Sequence, residues 1–141
     1  MLQLHLPLRR TAAYSLRQHL REYLEYKSVP RDALDDLVLA ANEAFSNALI
    51  HSGQCEGAVE LIARVTEERV LLDIVDQGCG FAPAAAQTPR DPELLAPHGR
   101  GLILMHHLMD ETQIDEREGG GTRVRLVRRV RCGRAEVLAT T

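Results

Sequence analysis

At 141 residues the chain is sized for one domain built around a single core. Its 45% hydrophobic and 26% charged residues are ordinary for a soluble globular protein, and a net charge of −3 offers no global field for nucleic acid. No run of about 18 apolar residues occurs and the start of the chain alternates, so no membrane association and a cytoplasmic location are expected. The three cysteines, Cys55, Cys79 and Cys132, form no CxxC pair and no metal-ligand spacing, which suits free thiols in a reducing compartment.

Residues 2–8 alternate apolar and polar side chains and predict a strand. Thr11 is placed to cap a helix running to about residue 26, with Ala12, Leu16, Leu20 and Leu24 at helical spacing. Ser28-Val29-Pro30 breaks that helix, and a longer one is expected over about 31–51, ended by Ser52-Gly53-Gln54. Two strands follow, about 57–65 and 69–76, joined by a tight turn near Glu67-Glu68. Residues 82–98 hold four of the six prolines and read as a loop long enough to serve as a lid. A short helix over about 100–109 precedes two last strands, about 111–117 and 122–130, turning at Gly119-Gly120-Gly121. The sum is a single domain over 1–141. It is an α+β, two-layer α/β sandwich with a mixed, mostly antiparallel sheet of four or five strands and three helices on one face. The arginines Arg123, Arg125, Arg128, Arg129, Arg131 and Arg134 read as a solvated edge strand whose charges deter pairing, with a dedicated partner surface as the other possibility.

Of the 17 basic residues only Lys27 is a lysine, and neither a GxxxxGK[ST] loop nor a strand lysine of the VAIK kind is present. Any nucleotide site must therefore work without one. Taking about 100° per residue and setting Glu43 at zero puts Asn47 at about 40° and Asp36 at about 20°. Ala44, Leu37, Ala48, Ala41, Leu34, Phe45, Val38 and Leu49 fill the arc from about 100° to 240°, the expected core face. Glu43 and Asn47 thus share a face at the core edge. The Asn47 amide can ligate Mg²⁺, and Glu43 can accept a proton from a water or hydroxyl attacking a phosphate. A solvated helix surface would also carry such a pair.

On the strand ending at Asp76, counting by two puts Val70, Leu72 and Ile74 on the same side as its carboxylate. An ionised aspartate is purely an acceptor and suits the exocyclic amine of adenine. Gly78 and Gly80 then leave room for a purine ring, although a DxG hairpin turn is common by itself. Gly99, Arg100, Gly101 and Leu102 open the next helix, where N–H groups can receive phosphates and Arg100 can add a charged contact or face solvent. Thr122 shares the inward parity of Val124 and Leu126 and could reach the pocket floor near Asp76.

In this order, ExxxNAxxH (43–51), DxGxGF (76–81), GxGLxL (99–104) and GGGT (119–122), the chain resembles the GHKL (Bergerat-fold) ATPase superfamily. The resemblance runs from about residue 10 to 127 and is nearest to bacterial anti-sigma-factor serine/threonine kinases of the RsbW/SpoIIAB group. It implies ATP and Mg²⁺ as cofactors, Glu43 as base, Asn47 as metal ligand, Asp76 as adenine reader and the backbone of 99–102 as phosphate binder. It also implies partners: a STAS-domain anti-anti-sigma protein phosphorylated on serine, a sigma factor held when that antagonist is unavailable, and a homodimer formed through the first helix and sheet edge. Pro97-His98, before Gly99, departs from the acidic or small residues common in relatives, as does the short, proline-rich lid. His51, His106 and His107 read as packing or surface residues. Two other functions stay open on sequence alone: a nucleotide-gated module that sequesters a partner without catalysis, and a kinase subunit of a larger signalling assembly.

Overall fold

The computed structural model describes residues 1–51, 57–76, 103–116 and 121–130. Its elements are β1 (Leu2–Pro7), α1 (Ala12–Tyr26), α2 (Arg31–His51), β2 (Ala58–Val65), β3 (Arg69–Asp76), β4 (Glu111–Glu116) and β5 (Thr122–Arg129), with a further helical segment, α3, at 103–108. The five strands form one sheet in the order β1-β2-β3-β5-β4, and all four pairings are antiparallel. This is the expected α+β sandwich. The expected bend at 119–121 and the helix end at 52–54 fall mainly outside the described residues; Gly121 is described, and its φ of 91° is one that glycine adopts without a Cβ clash.

The period-two pattern explains the layers. Val59, Leu61, Ala63, Val70, Leu72, Ile74, Val124 and Leu126 point to one side and are buried with the apolar stripes of α1 and α2. Met105 and Met109 join the same cluster, so α3 lies on the helical side of the sheet as well. Phe45 sits at its centre, fully buried. Among the described residues no helix is long and apolar enough to cross a membrane.

Two local devices set how α1 meets its neighbours. Thr11 stands at the cap position, yet its side chain makes no capping bond, because its backbone is already helical at φ −65°, ψ −21°. The first amides are satisfied instead by turns: Ala12 N–H donates to Arg9 O and Ala13 N–H to Arg10 O. At the other end Ser28 takes φ 60°, with Ser28 N–H donating to Glu25 O and Val29 N–H to Leu24 O. That is a Schellman closure, sealed by buried Val29 against buried Leu24, with serine where glycine is preferred. Ser28→Gly is therefore expected to raise the stability to chemical denaturation by about 0.5–1 kcal/mol, since the left-handed cost of a Cβ disappears.

The last strand corrects the expectation of a solvated edge. β5 lies inside the sheet between β3 and β4, and the edges are β1 and β4. Its alternating arginines look like surface charge in sequence, but each of three meets an acid supplied by another element. Arg125 makes a two-pronged pair with Asp73 on β3 at 2.8 and 2.9 Å, which raises the Arg125 pKa through that hydrogen-bonded contact. Arg123 pairs with Asp115 on β4 at 2.9 Å, and Arg128 with Asp36 on α2 at 3.0 Å. Arg131 and Arg134 lie outside the described residues.

Candidate nucleotide-binding site

Two carboxylates are buried among the described residues, both on β3. Asp73 is 8% exposed and Asp76 is 6% exposed. Three positions apart, they face opposite sides of the sheet. Asp73 is accounted for by Arg125 on the face away from the helices. Asp76 shares the helix-side parity of Val70, Leu72 and Ile74, all buried, and ends the strand. An ionised group there costs several kcal/mol unless polar partners surround it. In the register of the sheet Asp76 stands between Val59 on β2 and Thr122 on β5, so Thr122 is its direct cross-strand partner. Thr122 is half-buried and opens β5 immediately after Gly121.

Glu43 and Asn47 are half-buried on α2, at the edge of its core stripe, while Ala44 and Ala48 beside them are buried. The helix packs on β3 and β5, the two strands that carry Asp76 and Thr122. Asp36, on the same side of α2 as Glu43 and Asn47, reaches Arg128 of β5, which fixes the direction that this side faces. Four of the expected site residues thus belong to three mutually packed elements, α2, β3 and β5, on the helical side of the sheet. Gly78, Gly80, Gly99, Arg100, Gly101, Leu102 and the lid at 82–98 lie outside the described residues.

A buried acceptor at the end of an apolar strand face fits an adenine amine. Half-exposed Glu43 and Asn47 on the facing helix leave an acid and an amide oxygen in reach of solvent, which suits a metal-bound polyphosphate.

The other flank of the α2 core stripe holds a feature that sequence reasoning missed. A cleft of about 740 Å³ opens between the start of α1 and the end of α2, lined by Arg9, Arg10, Tyr14, Arg17, Asn42 and Ser46 over Leu8, Leu49 and Ile50. Among the described residues no acidic side chain lines it, and Arg17 donates to Asn42 Oδ1 at 2.9 Å. The available signal was Tyr14 and Arg17 one turn apart behind Arg9-Arg10; what the sequence lacked was the pairing with Asn42, 25 residues away.

Comparison with known proteins defines the class. The chain belongs to the histidine kinase-like ATPase domain family, whose model matches residues 6–128. ATP is accordingly the nucleotide that this fold implies. Within that class it is similar to the anti-sigma F factor of Clostridium acetobutylicum, at 32% identity over 99 residues, 66% of this chain and 68% of the relative. The anti-sigma F factor of Bacillus cereus is 30% identical over 118 residues, covering 79% and 80%. Among solved structures, the RsbU and RsbW domains of Rv1364c from Mycobacterium tuberculosis share the fold with a TM-score of 0.68 at 24% identity, over 92% of this chain and 33% of that one. The SiaB–SiaC complex from Pseudomonas aeruginosa gives 0.63 at 15% identity, over 90% and 88%.

Proposed function

We propose that the protein is an ATP- and Mg²⁺-dependent serine/threonine protein kinase that acts as an anti-sigma factor in a partner-switching pathway. Its substrate is a serine on a STAS-domain anti-anti-sigma protein. The observation that carries this reading is buried Asp76 paired across the strands with half-buried Thr122 at the sheet end, overlain by the helix that bears Glu43 and Asn47. Asp76 accepts from the adenine amine, and Thr122 supports the same pocket floor. Asn47 would give an uncharged oxygen to Mg²⁺, and the ion would supply positive charge against the phosphates. Glu43 takes the proton of the serine hydroxyl as its oxygen bonds to phosphorus and the bond to the β–γ bridging oxygen breaks. The similarity to two anti-sigma F factors supports a sigma factor as the second partner.

The arginine-rimmed cleft favours a second reading, a nucleotide-gated module that sequesters a partner without transfer. Incubation with γ-labelled ATP, Mg²⁺ and a STAS-domain substrate separates the two. The kinase reading expects label on the STAS protein, removed when its acceptor serine is replaced by alanine. Label confined to nucleotide, with a stable protein complex formed, would leave the sequestering module instead.

A further inference from the structure

We propose that the Asp36–Arg128 ion pair fixes the roll of α2 about its own axis and thereby aims Glu43 and Asn47 into the nucleotide site. The proposal rests on the site reading above and names two positioning residues for it.

Between residues 40 and 48 the buried stripe is Ala40, Ala41, Ala44 and Ala48 around the single large side chain of Phe45. Alanines allow close approach, but they offer short knobs, so they resist rotation less than interdigitated long side chains do. The stretch that carries Glu43 and Asn47 is therefore the one whose own packing least determines its roll.

Asp36 supplies what that stretch lacks. It lies two turns before Glu43, about 10.5 Å along the axis, and within about 40° of both Glu43 and Asn47 around it. Its carboxylate Oδ2 accepts from Arg128 Nη2 at 3.0 Å. Arg128 is anchored on β5, and its Nη1 donates to Arg129 O at 3.4 Å. Both side chains are partly buried, 24% and 32% exposed, so this is not a freely solvated pair. Asp36 stands among buried Leu34, Leu37 and Val38, and its tie to Arg128 adds a directional contact on the face that Glu43 and Asn47 share.

The scale makes the registration consequential. At the roughly 5–6 Å radius of the side-chain surface, a roll of about 20° moves a group by roughly 2 Å. Misplacing a catalytic group by about 1 Å can cost on the order of 10²-fold in rate. β5 also carries Thr122, opposite Asp76, so the anchor and the nucleotide floor belong to adjacent, register-locked strands. The ion pair therefore sets α2 relative to the frame against which Glu43 and Asn47 must be aimed.

The test compares ADP affinity with and without Mg²⁺, by calorimetry, in the wild type and in Asp36→Asn, Asp36→Glu and the reversed pair Asp36→Arg with Arg128→Asp. Metal-free affinity reports the base-reading floor; the gain on adding Mg²⁺ reports where Asn47 points. Asp36→Asn is expected to cut the Mg²⁺-dependent gain about 10-fold while leaving metal-free affinity within about twofold. Asp36→Glu and the reversed pair are expected to restore most of the gain. An unchanged gain, or a parallel fall of both affinities, overturns the positioning role. If Asp36→Asn does not fold, Arg128→Gln is read in the same way. A wild-type chain that binds no ADP under either condition removes the site reading and this proposal together, whereas a wild type that binds and a variant that matches it remove the proposal alone.

Discussion

Glu43→Gln is expected to lower phosphoryl transfer by about 10²- to 10⁴-fold while leaving Mg·ATP affinity within about threefold. Glutamine keeps the volume and the half-buried position on α2 but has no carboxylate to take the hydroxyl proton. If Glu43 is the base, the loss falls on kcat, since the interaction matters as the proton moves and not in binding the nucleotide. Single-turnover transfer to a STAS-domain substrate, followed beside calorimetric ATP binding, separates the two. A variant that transfers at the wild-type rate would remove Glu43 from that role.

Asp76→Asn has the second large expected effect, on binding instead of turnover. The carboxylate is 6% exposed on a strand face otherwise made of buried Val70, Leu72 and Ile74. A hydrogen bond to a charged acceptor contributes about 1.5–3 kcal/mol, and an unmatched donor left in a buried site costs a similar amount. An amide keeps one acceptor oxygen but loses the charge and turns the other oxygen into an N–H₂ donor, so ATP and ADP affinities should fall together by about 100-fold, equivalent to roughly 2.7 kcal/mol. Guanine nucleotides, which carry a carbonyl at the corresponding position, should gain relative to adenine ones. Equal ATP affinity in the wild type and the variant would contradict the assignment of Asp76.

Most of the fold was legible because its signals are local. Leu2 to Leu8 alternate, and β1 forms at Leu2–Pro7; the turn near Glu67-Glu68 joins β2 and β3 as expected, with Thr66 Oγ1 accepting from the Glu68 and Arg69 amides. The stripe predicted for α2 is the stripe that is buried, apart from half-buried Leu49. What was not legible depends on distant partners. Arg125 and Arg128 looked like edge charges because Asp73 and Asp36 stand 52 and 92 residues away. Strand order is likewise invisible to periodicity, and β5 lies in the sheet interior with those acids paired to its arginines. Thr11 illustrates the opposite failure: the residue type fits a cap, but the preceding carbonyls had already taken the amides. For the candidate site, Asp76 and Thr122 were placed on one face by parity, and the register makes them neighbours.

Everything proposed for this chain needs a purine-reading acid and a metal-gripping helix face to serve the same bound molecule. Thermal unfolding with and without Mg·ADP tests that most directly. At a ligand concentration 100 times Kd the wild type should gain roughly 2.7 kcal/mol, a rise in midpoint on the order of 5–10 °C for a domain of this size, and the rise should shrink when Mg²⁺ is withheld. An unmoved midpoint at millimolar Mg·ADP would contradict the account.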